Sequence, residues 1–183
     1  MITEDLRGFR KMYTGFTSAR VILTANNLCI FNRLKSPVSA ESLAKALKTD
    51  PRATGILLDA LTGIGLLNKN RDGRYKNTPT SRRYLVKGSR FYQGDIIKHA
   101  STMWENWSAL DSVVRDGLPA RRAMDNDSFI MGMHNLSVLR TAELIKTIGL
   151  RDVKTMLDLG GGPGTNAMSM ARKGLKRIKQ HCW

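Results

Sequence analysis

Hydrophobic and polar positions in the N-terminal half first follow the period of helices. They then form two short extended runs on either side of a turn. Across residues 18–34, apolar side chains recur every three or four positions, which predicts an amphipathic helix. Ser39 and Asp50-Pro51 predict the starts of two further helices, because capping side chains and a proline in the first turn favour helix initiation. Asp72-Gly73, between two short extended runs, predicts a hairpin turn. Three helices and a hairpin are the elements of a winged helix-turn-helix domain, which we expect over residues 1–90.

The pattern of residues 91–149 is helical. A stripe of apolar residues predicts one long helix, buried along one side, which begins near Tyr92. The stripe consists of Ile96, Ala100, Met103, Trp107, Leu110 and Val114, with Trp104 alongside. After a polar bend at residues 117–126, Asp127-Ser128 predicts the cap of another helix, which Gly149 can end. We therefore expect linker helices over this part of the chain.

The same helices hold the candidate substrate-side residues. These are Trp104, Trp107, Phe129 and Met133. Large aromatic and thioether side chains can line an apolar pocket that accepts a small molecule. Packing in a protein core is the commoner role of such side chains at helical spacing, and it stays open as the alternative.

A different pattern begins at Val153. Residues 153–159 form a short strand-like run, a glycine-rich stretch follows at residues 160–164, and residues 165–172 again favour a helix. Glycines at the carboxyl end of a strand let a ligand approach the backbone closely, and the N–H groups of the following helix can receive negative charge. The spacing is not the dinucleotide-binding G-x-G-x-x-G, because Thr165 takes the place of the last glycine, and it is not that of a P-loop. A tight turn that serves only strand-to-helix packing is the alternative to a ligand site.

The run Asp158-x-Gly160-x-Gly162-x-Gly164 resembles motif I of the class I methyltransferases that use S-adenosylmethionine (SAM). The resemblance implies that SAM is the cofactor, that the glycines pass beneath its amino-acid portion, and that the acid helps to hold its ammonium group. The cofactor-binding residues that it implies are Asp158, Gly160, Gly161, Gly162 and Gly164.

The N-terminal half carries a second resemblance, with its segments in the family's order and spacing. Residues 19–25, 39–44, 50–53 and 73–79 are similar to the N-terminal dimerisation domain of small-molecule O-methyltransferases, and residues 129–134 are similar to the helix before their SAM domain. The resemblance implies a homodimer formed through the N-terminal domain. It also implies methyl transfer to a hydroxyl of a small, aromatic substrate.

The C-terminal part departs from the family pattern. No Asp or Glu follows Asp158, although the family places an acid for the SAM ribose at the end of the next strand. His99, His134 and His181 do not stand at the position of the family's general base, so we assign no catalytic residue. Residues 175–183 lack the apolar run of a buried strand, so we expect them to be unrelated to the strand that the family places there.

These patterns together predict a mainly α fold. It consists of a winged helix-turn-helix dimerisation domain at residues 1–90, linker helices at residues 91–149, and the first strand-loop-helix of a Rossmann-like α/β SAM domain at residues 150–183. We expect that SAM domain to be truncated, or changed by a shift of reading frame, after Gly174. The function predicted is that of a SAM-dependent O-methyltransferase that is inactive or impaired in this form. A dimerisation or interaction module without catalysis is the alternative.

An excess of positive charge adds a third function to these two. Thirty Lys and Arg against fifteen Asp and Glu give a net charge of +15, which favours contact with nucleic acid or other anionic partners. The helix that would read DNA, within residues 50–67, carries only Arg52 as a basic residue and is otherwise largely apolar. Such a helix offers few donors to base edges, so a winged-helix DNA-binding protein is the least favoured of the three functions.

Cysteine content and hydropathy restrict the expected location. Two cysteines, Cys29 and Cys182, cannot form a disulfide framework or a four-ligand metal site, which fits a reducing compartment. The N-terminus lacks the basic and apolar regions of a signal peptide, and no uncharged run approaches the ~20 residues that span a bilayer. We expect a soluble, cytoplasmic protein without a metal site or a membrane partner.

Overall fold

The computed structural model describes residues 4–120, 125–151, 153–175 and 177–181. Cys182, and residues 121–124 of the polar bend, therefore lie outside the described residues. Contacts divide the chain into two units, Met1–Ser89 and Arg90–Trp183. The chain is mainly helical, as the sequence predicts, and none of the helices in the described ranges is long and apolar enough to cross a membrane.

The first unit contains five helices and one hairpin in the ranges described. They are α1 (Glu4–Asn27), α2 (Ile30–Arg33), α3 (Ala40–Leu47), α4 (Pro51–Gly63), β1 (Leu67–Lys69), β2 (Tyr75–Asn77) and α5 (Pro79–Tyr84). The predicted caps are confirmed, since the Ser39 side chain accepts the N–H of Ser42, and Asp50 Oδ1 accepts the N–H of Ala53 at 2.7 Å. The predicted hairpin is also confirmed, with β1 and β2 antiparallel.

The helix predicted over residues 18–34 is two helices. Cys29 adopts a left-handed backbone conformation with φ of 54°, which ends α1 and turns the chain into α2. That conformation is unfavourable for a residue other than glycine. The turn places Ile30, Phe31 and Leu34 in the core, where all three are fully buried, and burial of large apolar side chains offsets the backbone strain.

The hairpin is fastened to the helical core by polar contacts. Asn77 Nδ2 donates to the carbonyl oxygen of Phe31 at 2.7 Å in a buried site. On the other side of the hairpin, the Tyr75 hydroxyl and Lys69 Nζ both donate to Asp59 Oδ1 of α4 at 2.8 Å. These two donors hold the pKa of Asp59 below its ordinary value. The hairpin therefore has a fixed position against α4.

The second unit begins with helices and ends with a strand pair. Its elements are α6 (Gly94–Trp107), α7 (Leu110–Asp116), α8 (Asn126–Ile148), β3 (Thr155–Leu159), α9 (Thr165–Ala171) and β4 (Arg177–His181). Helices α6 and α8 approach closely at Gly132, where a Cβ atom would lie 2.9 Å from Ile96 Cδ1 and 3.1 Å from Ile96 Cα. Glycine at this position therefore sets the distance between the two helices.

The long helix predicted from Tyr92 is broken after Trp107, and the prediction that its whole stripe is buried is wrong. The Ser108 hydroxyl donates to the carbonyl oxygen of Trp104 at 2.8 Å, and the N–H of Ala109 donates to Asn106 at 3.1 Å. A serine hydroxyl that bonds a preceding carbonyl competes with continuation of the helix. Leu110 and Val114 after the break are 45% and 75% exposed, and Trp107 just before it is 65% exposed, so this end of the apolar stripe is not a core face.

The cap of α8 is Asp125 and not the predicted Asp127. Asp125 Oδ1 accepts the N–H of Ser128 at 3.0 Å, and its Oδ2 accepts the Ser128 hydroxyl at 2.6 Å. Lys98 Nζ lies 3.0 Å from the same carboxylate. The two bonds from Ser128, with Lys98, hold the pKa of Asp125 well below its ordinary value of 3.8.

The Asp125 cap should make the second unit sensitive to acid. Because the carboxyl pKa is lower in the folded state, the stabilisation is fully present above the unfolded pKa and is lost as pH falls below it. We expect the difference in unfolding free energy between wild type and Asp125→Asn to shrink as pH falls from about 5 to about 3. Urea unfolding at a series of pH values measures this difference in unfolding free energy. Asp127→Asn, a change at an exposed position, is the control. A constant difference would contradict the assignment of the cap.

Strands β3 and β4 are parallel, with Thr155 opposite Arg177 and Leu159 opposite His181. The strand predicted near residues 153–159 is therefore confirmed, and residues 177–181 form a parallel strand although they lack the apolar run of a buried strand. Pairing needs only backbone N–H and C=O groups, and the connection is anchored by Leu175, which is buried after α9. A strand-helix-strand unit with parallel strands results.

Candidate functional site

The glycine loop between β3 and α9 requires its glycines for two reasons. Gly160, Gly162 and Gly164 have φ of 64°, 51° and 68°, values that residues with a side chain rarely adopt. Gly161 is required by contact, because a Cβ atom there would overlap the Asp158 carboxylate. The loop is therefore folded around the side chain of Asp158.

Asp158 is the penultimate residue of β3 and is half-buried. Its Oδ2 atom is buried and has no hydrogen-bond partner within the part of the chain that the structure describes. A buried carboxylate oxygen without a donor is costly, and a cationic donor satisfies it best. The amino group of a ligand is such a donor, so the residues present fit the ammonium end of SAM.

Two hydrogen bonds from α8 hold the start of α9. Nδ1 of His134 and the Thr165 hydroxyl are 2.7 Å apart, and the Thr141 hydroxyl donates to Asn166 Oδ1 at 2.9 Å. Thr165 is the first residue of α9 and follows Gly164 directly. The sequence gave His134 no catalytic role, and no local signal pointed to this contact, because its partner lies 31 residues further along the chain.

The candidate substrate-side residues lie on two helices. Trp104 and Trp107 belong to the last turn and a half of α6, and Phe129 and Met133 to the first two turns of α8. The Phe129 ring lies 5.2 Å from the ring of His99, centroid to centroid. Trp104 and Met133 are half-buried, whereas Trp107 is largely exposed. The structure thus pairs Phe129 with a histidine that the sequence did not place beside it.

A pocket of about 490 Å³ lies between α8 and α9. Its lining combines apolar side chains such as Val138 and Met168 with the cations Arg90, Arg172 and Lys173. None of the glycine-loop residues and none of the four substrate-side residues lines it. The pocket is therefore separate from the site predicted from the sequence, although Thr165 and His134 are part of its wall.

The elements of the two units can be compared with known proteins. The first is a helical unit with a β-hairpin, and the second begins the strand, glycine loop, helix and parallel strand of an α/β cofactor-binding fold. Residues 11–87 match the family model of the O-methyltransferase dimerisation domain. This match makes most of the first unit similar to the dimerisation domain of O-methyltransferases.

Two of the curated relatives that this chain matches are O-methyltransferases. Rat acetylserotonin O-methyltransferase is 29% identical over 93% of this chain and 44% of its own length. The 3-hydroxy-5-methyl-1-naphthoate 3-O-methyltransferase of Streptomyces sahachiroi is 29% identical over 87% of this chain and 50% of its own length. The chain spans about half the length of the curated relatives it matches.

Similar folds occur in solved structures. Human N-acetylserotonin methyltransferase, determined in complex with SAM, has a TM-score of 0.83 at 23% identity over 97% of this chain and 59% of its own. An O-methyltransferase family protein of Burkholderia thailandensis has a TM-score of 0.75 at 25% identity over 97% of this chain and 57% of its own. Both likenesses cover nearly the whole of this chain.

Proposed function

We propose that this protein is a SAM-dependent O-methyltransferase of small molecules, with residues 150–183 as the start of its SAM-binding domain. The observation that carries the proposal is the unpartnered Oδ2 atom of Asp158 inside a loop of left-handed glycines. Such a loop serves close approach of a ligand to the backbone, and the buried oxygen supplies an acceptor for the ligand's amine.

The proposed SAM-binding residues are Asp158, Gly160, Gly161, Gly162 and Gly164. When bound, SAM supplies an activated methyl group for transfer to a substrate hydroxyl. Asp158 orients the amine of SAM, and the glycines let its amino-acid portion lie against the backbone. Trp104, Trp107, Phe129 and Met133 are the proposed substrate-side residues, with residues 91–149 as the helices that present them.

We further propose that these 183 residues bind SAM without transferring its methyl group by themselves. Deprotonation of a substrate hydroxyl needs a positioned base, and none of the three histidines matches that position in the family. The strand β4, where the family carries an acid for the ribose, has Gln180 opposite Asp158 in its pairing with β3. Because no Asp or Glu follows Asp158 in the sequence, β4 has no carboxylate for this role.

Calorimetric titration with SAM tests the cofactor site. We expect one SAM per chain with a micromolar dissociation constant, and no methyl transfer from radiolabelled SAM to a panel of small aromatic hydroxyl compounds. Absence of binding up to millimolar SAM, with helical content intact by circular dichroism, would remove the cofactor site from the proposal. Methyl transfer by these residues alone would contradict the proposal that they bind SAM without transferring its methyl group.

We also propose that the first unit is a winged helix-turn-helix that forms a homodimer. Helix α1 exposes a row of apolar side chains at spacings of three and four residues. They are Leu6, Phe9, Met12, Tyr13 and Phe16. A contiguous apolar row of this kind is typical of a surface that a partner covers, and the match to a dimerisation-domain family favours a second copy as that partner.

Removal of an aromatic ring from this row should weaken the dimer. Phe9 is 61% exposed and packs edge-on against Tyr13 with ring centroids 5.3 Å apart. We expect Phe9→Ala to raise the dimer dissociation constant about tenfold, since a central aromatic residue contributes more than about 1 kcal/mol to an interface. Analytical ultracentrifugation measures the constant, with Ser18→Ala on the opposite side of α1 as the control. A monomeric wild-type chain at tens of micromolar would refute the dimer.

A further inference from the structure

We propose that His134 is a positioning residue for the cofactor loop. It holds Thr165, and through Thr165 the glycine turn that precedes it, in the shape that presents Asp158 to SAM. The inference rests on the proposed SAM site, but the contact on which it depends lies outside the glycine motif. His134 belongs to α8, a different element from the strand and helix that flank the loop.

The contact is short and sheltered. His134 Nδ1 and Thr165 Oγ1 are 2.7 Å apart, within the range of a good hydrogen bond. Thr165 is 5% exposed, and His134 is half-buried, so water does not readily replace the bond. Either partner can be the donor, according to which ring nitrogen of His134 carries the proton.

The bond reaches the loop through two backbone hydrogen bonds next to Thr165. The N–H of Gly164 donates to the carbonyl oxygen of Gly161 at 2.9 Å, and the N–H of Met168 donates to the carbonyl oxygen of Gly164 at 2.8 Å. Gly164 therefore links the turn to the first turn of α9. A displacement of Thr165 moves Gly164. Because Gly164 is bonded to Gly161, the displacement also moves Gly161, which packs against the Asp158 carboxylate.

The glycines make this outside support necessary. Glycine has more backbone freedom than any other residue, and the loop contains four of them within five positions. Side chains of the loop offer little restraint, because apart from Asp158 at its base the only side chain between Leu159 and Thr165 is that of Pro163. Restraint has to come from a neighbouring element, and His134 provides it on the side of α8.

Three variants separate this role from general stability. His134→Ala removes the bond, and Thr165→Val removes the hydroxyl while it keeps the branched shape. His134→Asn restores a polar atom near the position of Nδ1, because the Asn amide both donates and accepts. Leu139→Ala, an exposed change on the same helix, is the matched control.

Two measurements apply to each variant. Hydrogen exchange of the Gly164 and Met168 amides reports the loop without SAM, and calorimetry reports SAM affinity. We expect His134→Ala and Thr165→Val each to speed exchange of both amides and to weaken SAM binding about tenfold, in line with the loss of one hydrogen bond. The double variant should be no worse than either single variant, and His134→Asn should recover most of the loss.

The outcomes distinguish this inference from the proposed function. Unchanged exchange at Gly164 and Met168 in His134→Ala would overturn the positioning role, whether or not SAM binds. Faster exchange with wild-type SAM affinity would also overturn it, because the bond would then serve stability alone. Additive losses in the double variant would show that the two side chains act separately. If wild type fails to bind SAM, the proposed cofactor site falls, and a positioning role for SAM falls with it.

Discussion

Gly161→Ala should weaken SAM binding about 100-fold. The new Cβ atom would overlap the Asp158 carboxylate, so either the carboxylate or the loop must move. Movement of the carboxylate withdraws the proposed acceptor for the SAM amine, and movement of the loop closes the space in which the amino-acid portion lies. A 100-fold loss corresponds to about 2.7 kcal/mol, a reasonable magnitude for a displaced charge-assisted hydrogen bond together with a steric clash.

Calorimetric titration of the variant with SAM checks this expectation. Gly63→Ala is the matched control, because a Cβ atom at Gly63 meets no heavy atom within 4 Å and the residue has no positive φ. We expect Gly63→Ala to bind SAM as wild type does. Wild-type affinity in Gly161→Ala would show that the Asp158 carboxylate takes no part in the site.

Local signals in the sequence predicted the elements that depend on neighbouring residues. Ser39 and Asp50 cap the helices that they were expected to cap, because a capping side chain needs only the N–H three residues ahead. The glycine loop follows the same logic, since left-handed backbone at Gly160, Gly162 and Gly164 is decided within the loop. These features could be predicted because their causes lie within a few residues.

Features that depend on distant residues were missed. The break at Cys29 places the apolar residues that follow it in the core of the first unit. No local pattern in the sequence describes that core. The His134–Thr165 bond joins residues 31 positions apart, and a histidine in a helical pattern carries no mark of its partner. A local feature was also misplaced: the cap of α8 is two residues before the predicted Asp127, because both Asp125 and Asp127 are good caps and the position of Ser128 selects between them.

Strand β4 was missed for a different reason. A buried strand was expected to show an apolar run, as is typical of central parallel strands that are covered on both faces. Arg177 and Lys179 are exposed and Ile178 is half-buried, so β4 alternates like a strand with one open face. Within the described residues it pairs with β3 alone, and its polar positions therefore need no apolar cover.

Asn135→Ala should lower the free energy of unfolding of the second unit by about 3 kcal/mol. Helix α6 has no side-chain cap of its own, and Asn135 Oδ1 of α8 accepts the N–H groups of Asp95 at 3.0 Å and Ile96 at 3.3 Å. Its Nδ2 donates to Asp95 Oδ2 at 3.2 Å. Asn135 thus caps a helix that lies about 40 residues earlier in the chain.

Truncation to alanine leaves these donors without acceptors at a site where Asn135 itself is 3% exposed. Each buried donor left unsatisfied costs about 1–3 kcal/mol, so two of them with partial relaxation give about 3 kcal/mol. Urea unfolding followed by circular dichroism measures the loss. Asn126→Ala, the same change at an exposed position of α8, should alter stability by less than about 0.5 kcal/mol. Equal effects of the two variants would mean that α6 is held by its apolar contacts, with the contact at Gly132 first among them, and not by the cap from α8.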